Sequence, residues 1–199
     1  MKSRVALLVA WMIANAASGF AQDKVWGVKG GVNIASATQE GQDPLKNAAG
    51  GIGGLFVRAG VSVAGRSLDI QPEILLSRQG GNGNGEDFRV YLNYLQIPVL
   101  LRFGWADTGA RPFIVVGPAL GIRLTARARS QDLSDSIKTI DPGIAAGGGL
   151  FVSKRVSLEG RYMQSLMDIA TDAGHAGDIG PGKVKNRVIS IMLGFEIPR

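Results

Sequence analysis

The sequence predicts an eight-stranded antiparallel up-and-down β-barrel of the transmembrane kind, and three observations predict it. Eight segments of about ten to twelve residues alternate with a period of two, longer than the roughly five or six residues usual for soluble strands and long enough to cross a bilayer at a tilt. The connections between them are alternately short and long. One parity of the strands mixes charge with glycine, while the other is almost free of charge.

In chain order, the first segment (25–35) sets Trp26, Val28, Val32 and Ile34 against Gly27, Lys29 and Gly31. The second (51–63) sets Leu55, Val57, Val61 and Val63 against Gly54, Arg58 and Gly60, and the third (67–78) sets Leu68, Ile70, Ile74 and Leu76 against Asp69, Gln71 and Glu73. Leu95, Ile97, Val99 and Leu101 oppose Gln96 and Arg102 in the fourth (89–103); Ile114, Val116, Leu120 and Ile122 oppose Gly117, Gly121 and Arg123 in the fifth (112–125). The sixth (141–153) contributes Gly147 and Gly149, and the seventh (155–165) Glu159 and Arg161. The eighth (187–197) sets Ile189, Ile191, Leu193, Phe195 and Ile197 against Glu196. Links after even-numbered segments are short (64–66, 104–111 and Lys154), whereas 36–50, 79–88, 126–140 and 166–186 are long and polar. In outer-membrane barrels short turns face the periplasm and long loops face outward, which places both termini in the periplasm.

The mixed parity indicates which face is inside. A soluble barrel would turn its charged face to water, where nothing calls for glycines among arginines. A crowded interior does call for them, because glycine makes room for long Arg and Glu side chains while the apolar face meets lipid. Lys29, Arg58, Asp69, Glu73, Arg102, Arg123, Glu159, Arg161 and Glu196 are therefore read together as an interior charge network that plugs a bore no wider than its own side chains. Trp26, Phe103, Trp105 and Phe195 fall at the periplasmic strand ends, where aromatic rings favour the membrane interface.

The 199 residues fit one domain preceded by an export signal. Lys2 and Arg4, the apolar run Val5 to Ala17 and the small-x-small site Gly19-Phe20-Ala21 make residues 1–21 a signal peptide and leave 22–199 as the barrel domain. That run is too short for a membrane helix, and no later stretch approaches the roughly 20 apolar residues one needs. Losing Lys2 and Arg4 lowers the formal charge from +6 to +4, spread along the chain rather than gathered in a block that would bind nucleic acid. Without cysteine there is no disulfide, thiolate metal site or cysteine nucleophile.

Several stretches also resemble one family. Tyr94-Leu95-Gln96-Ile97-Pro98-Val99-Leu100-Leu101-Arg102-Phe103 is similar to the Tyr-Leu-Glu-Ile-Pro-Leu-Leu-Leu-Lys signature of PorT-like outer-membrane β-barrel proteins, with Gln96 where the family has an acid. Pro72 to Gly80, Arg111-Pro112-Phe113-Ile114 with Gly117-Pro118, Gly147 to Leu150, Arg161-Tyr162, Ser165 to Ile169, Asn186 to Ile191 and Leu193-Gly194-Phe195 resemble it too. The resemblance spans nearly the whole mature chain. It implies the barrel fold and an outer-membrane address, but no particular role.

Motifs for chemistry are sparse. His175, between Asp172 and Asp178, sits in a polar loop without a metal-ligand pattern, and no spacing joins it to Ser165 or another serine as a hydrolase would require. Gly177 to Val184 lacks the Ser or Thr of a phosphate-binding loop and leads into a strand, not a helix. The run Gly80 to Gly85 reads as a flexible outer loop. The sequence thus points to a non-enzymatic, cofactor-free, monomeric barrel with a structural or surface-interaction role, its partners being outer-membrane lipid and a surface ligand. Lipopolysaccharide phosphates meeting Arg127, Arg129 and Lys138 are one candidate for that ligand. Two other readings stay open: a narrow Arg-lined channel or transport or secretion accessory, and a soluble periplasmic lipocalin-like binder.

Overall fold

The computed structural model describes residues 24–39, 46–63, 65–82, 89–105, 111–128, 131–132, 137–172 and 184–198. The export signal expected at 1–21, His175, Asp178 and most of the Gly177 to Val184 motif lie outside the described residues. The strands are β1 (Val25–Gln39), β2 (Lys46–Val63), β3 (Arg66–Asn82), β4 (Arg89–Trp105), β5 (Pro112–Ala128), β6 (Gln131–Asp132), β7 (Ile140–Phe151), β8 (Val156–Ser165) and β9 (Val184–Glu196). Eight of them form the wall in the order β4, β3, β2, β1, β9, β8, β7, β5, and β5 pairs back onto β4. Every pairing is antiparallel. Closure leaves no open edge, so the wall satisfies its main-chain groups within itself, as a lipid environment demands.

The strands run further than the alternation indicated. β2 begins at Lys46 rather than 51, β3 ends at Asn82 rather than 78, β5 ends at Ala128 rather than 125, and β9 begins at Val184 rather than 187. While β4 runs two residues further than expected at the short-turn end, to Trp105, these extensions lie toward the long-connection end. Main-chain pairing continues there past the apolar belt, and sequence polarity no longer alternates once both faces are wet. The two-residue β6 was not anticipated; it folds back on β5 through Arg127↔Asp132 and Ala128↔Gln131. At the other end β7 stops at Phe151, two residues short of the expected 153, because the Ser153 hydroxyl accepts from the amides of Arg155 and Val156 and draws the chain into a tight turn.

Burial alternates along the wall, most plainly in β9. Leu55, Leu76, Leu193, Ile191, Val32 and Trp26 are each more than half exposed, while Lys29, Asn33, Asp69, Gln71, Glu73, Arg102, Glu159 and Arg161 are buried. The soluble lipocalin-like alternative needed the reverse, with the apolar parity lining a cavity, and this arrangement corrects it. Among the described residues, no helix is long and apolar enough to cross a membrane.

Apolar groups separate the polar layers of the interior. Leu100, Phe113, Val115, Ala119, Ala145 and Phe151 form one cluster, and Ile52, Leu75 and Met192 another. At the long-connection end Ile137 bridges to Ala170, the Lys138 amide donates to the Ile169 carbonyl, and the Asp168 carboxylate accepts from the amides of Ala170 and Val184. Ile137, Ile169, Ala170 and Val184 are buried as a result. Segments of the two connections that follow β5 and β8 thereby dock on each other at the barrel's rim.

Candidate functional site: the charged bore

β1, β3 and β8 each turn one parity inward, and at mid-height this brings four charges together. Lys29 Nζ donates to Glu73 Oε1 at 2.7 Å and to Glu159 Oε2 at 2.6 Å. Arg161 grips Glu73 as a fork, Nη1 to Oε2 at 2.7 Å and Nη2 to Oε1 at 2.9 Å, and also donates to Glu159 Oε1 through Nε at 2.9 Å and through Nη2. All four side chains are at most 5 % exposed. Two cations and two anions make the group neutral, and the hydrogen bonds offset the desolvation of buried charge. Every carboxylate oxygen of Glu73 and Glu159 already accepts from a cation, which leaves this quartet no free face for a metal.

Gln71 links the quartet to the short-turn end. Its amide donates to Glu73 Oε1 at 2.7 Å, and its carbonyl accepts from Arg102 Nη1 at 3.2 Å. Below lies a second group, in which Arg58 meets Glu196 at 2.5 Å and Asp69 at 3.5 Å. Arg102 lies 3.8 Å from the Phe113 ring centre and 5.0 Å from that of Phe151, and Arg111 lies 4.3 Å from that of Phe151. Glycine provides the space: a Cβ on Gly149 would sit 2.6 Å from Phe113 Cζ, and one on Gly27 would overlap the Phe56 ring.

The outer half is polar but mostly uncharged. Asn33 donates to the Ser77 hydroxyl, Gln79 donates to the same hydroxyl, Asn186 donates to Gln79, and Ser165 donates to Asp141 at 2.7 Å. Arg123 is buried in this half, where its Nε donates to the Lys138 carbonyl at 3.4 Å. It lies apart from the other eight charges, because its strand position is close to the long-connection end. The single network read from the sequence is therefore two ion-paired groups joined through Gln71, with Arg123 elsewhere.

Trp26, Phe103 and Phe195 lie on the outer face toward the short-turn end, between 38 % and 55 % exposed, and Trp105, 40 % exposed at the end of β4, also borders the mouth of the bore. Lys138, a candidate phosphate contact, donates its Nζ to the Asp168 carbonyl at 2.9 Å. The side chains of Arg127 and Arg129 lie outside those described. Sequence reading placed Gln71 on the inward parity but left it out of the charge network, and it missed Phe113, Phe151 and Arg111 as members of the bore. Parity was the available signal for two of these: Phe113 shares it with Gly117 and Arg123, and Phe151 with Gly147 and Gly149.

Solved structures of similar fold include outer-membrane barrels. Neisserial surface protein A matches with a TM-score of 0.55 at 13% identity, covering 88% of this chain and 100% of that one. The outer membrane enzyme PagL matches at 0.50 and 16%, with the same coverage. So does Ail, the attachment invasion locus protein of Yersinia pestis, in complex with the heparin analogue sucrose octasulfate, at 0.50 and 14%. Identities this low show the fold alone. The curated proteins contain no match. The family model described as "Outer membrane protein beta-barrel domain" matches residues 20–171, and the chain belongs to that outer-membrane family.

Proposed function

We propose that this outer-membrane barrel is a non-enzymatic structural or surface-interaction protein whose bore is closed. The observation that carries the reading is the neutral quartet of Lys29, Glu73, Glu159 and Arg161, which spans the interior from β1 to β3 and β8 with all its carboxylate oxygens engaged. A permeating ion would have to displace charge-assisted hydrogen bonds in a bore too narrow to replace them with water. The work then falls to the outer connections on a rigid wall. Lipopolysaccharide phosphates or another surface ligand would meet them there, and Arg127 and Arg129 are the cations at hand. Residues 1–21 act as a cleaved export signal, and the strand motifs of β3 to β5 align the chain with the PorT-like branch of the family.

PagL shows that this fold can carry an enzyme. Here the buried serine–carboxylate pair, Ser165 with Asp141, faces the interior among amides. Planar-bilayer recording of the folded protein tests the closed bore. The expected result is no stepwise conductance from the unaltered chain; discrete openings that Arg102→Gln or Arg123→Gln removes would establish the narrow-channel alternative instead.

A further inference from the structure

At the short-turn end the bore opens into a cavity of about 140 Å³ lined by Arg58, Arg102, Arg111, Trp105 and Phe151, with Ser67 and Gly104 at its edge. Three guanidinium groups surround the Phe151 ring, with Arg58 5.9 Å, Arg102 5.0 Å and Arg111 4.3 Å from its centre. The two carboxylates nearby, Asp69 and Glu196, both pair with Arg58. Among the described residues, no carboxylate lies within ion-pair distance of Arg102 or Arg111. Arg102 is 3 % exposed, and its Nε is buried without a hydrogen-bond partner. Its other contacts are Gln71 and the face of Phe113, which hold the guanidinium plane fixed. Arg111 is held through Nη2 by the carbonyls of Ser153 and Lys154 at 2.9 Å.

A buried N–H with no acceptor, beside a second guanidinium that has no carboxylate partner among the described residues, is an arrangement completed by an anion. We infer that this mouth is a binding site for a small organic carboxylate, entering from the short-turn side, with Arg102 and Arg111 receiving the carboxylate and Phe151 and Trp105 flanking its carbon stem. Aromatic walls suit a carboxylate on an apolar stem better than a strongly hydrated inorganic anion, and the volume admits only a few heavy atoms. The inference goes beyond the closed-bore reading and holds whether or not the bore conducts.

The test uses the full mature chain folded in detergent with ¹⁵N-labelled arginine, titrated at low ionic strength with acetate, succinate and inorganic phosphate. The Arg102 Nε–H resonance, assigned by its loss in Arg102→Lys, should shift saturably with the carboxylates and at least tenfold less readily with phosphate. Arg111→Gln, at a half-exposed position outside the folded core, should weaken the carboxylate response at least tenfold. Arg155→Gln, on the nearby turn but not lining the cavity, should change it less than twofold. No saturable shift, equal responses in Arg111→Gln and Arg155→Gln, or tighter binding of phosphate would overturn the inference. So would a response that appears only in Asp107→Asn, which would assign the site to the chain's own carboxylate between β4 and β5.

Discussion

Glu73→Ala is the sharpest test of the bore as a plug. Glu73 is 1 % exposed and accepts from Lys29, Gln71 and twice from Arg161 at 2.7 to 2.9 Å. Its removal leaves Lys29 and Arg161 to share Glu159 alone, one uncompensated cation in a water-poor interior. Bonds to charged groups contribute about 1.5–3 kcal/mol each but do not add, and breaking a buried pair from one side costs about 3–5 kcal/mol in all. At about 2–4 °C per kcal/mol for a chain of this size, the melting midpoint should fall by roughly 6–20 °C. Thermal unfolding of the refolded barrel, followed by tryptophan fluorescence, measures the midpoint, and denaturant unfolding measures the free energy. Removing a cation as well, in Lys29→Met with Glu73→Leu, leaves the neutral Arg161–Glu159 pair and should recover at least half of the loss. A Glu73→Ala barrel within about 0.5 kcal/mol of the parent would refute the reasoning.

Three more outcomes follow from the wall and its packing. Leu193→Arg puts a charge on an outer face that is 56 % exposed at this position and should cost about 2–4 kcal/mol in lipid vesicles if it lies near mid-bilayer; a change below about 0.5 kcal/mol would argue against lipid contact there. A chain beginning at Gln22, without the proposed export signal and its Trp11, has Trp26 and Trp105 as its tryptophans; lipids brominated near the headgroup should quench their emission more than lipids brominated at mid-chain, and the opposite order would remove these residues from the interface. Gly149→Ala drives a methyl toward Phe113 and the Leu158 carbonyl and should destabilise the barrel by about 1–3 kcal/mol in the same unfolding assay, whereas unchanged stability would mean that the Phe113 shelf is not tightly packed.

The period of two makes the wall legible in sequence, because each strand shows one face to lipid and one to the bore, and that contrast is written residue by residue. It fades where β2, β3 and β5 extend beyond the belt, since pairing there is made by the main chain, which sequence polarity does not report. The inward set was equally visible, yet its partners were not. Lys29 finds Glu73 at a separation of 44 residues and Glu159 at 130, so its contacts depend on strand stagger rather than on local order. Arg123 shares the inward parity and the charge but lies at a different height. Gln71 was read as inward-facing, but its linking role was not, because an amide between two carboxylates looks like filler until its two ends are seen to bond a carboxylate and a guanidinium.

That placement lets Gln71 bond both the mid-height quartet and the cationic mouth, and it gives the bore a testable internal logic. If the two layers were independent, Glu73→Ala and Arg102→Gln would lower stability additively, as substitutions without shared partners do. Gln71 is fully buried and bonds both neighbours, so loss of Glu73 frees its amide to turn and disturbs the acceptor that holds Arg102. The pair should therefore show a coupling of about 0.5–3 kcal/mol in a double-mutant cycle. The same cycle repeated in a Gln71→Leu background should fall to within error of zero. Coupling that survives without Gln71 would mean that the layers communicate through the wall or through long-range charge, and the mouth could then no longer be treated as a site separate from the plug.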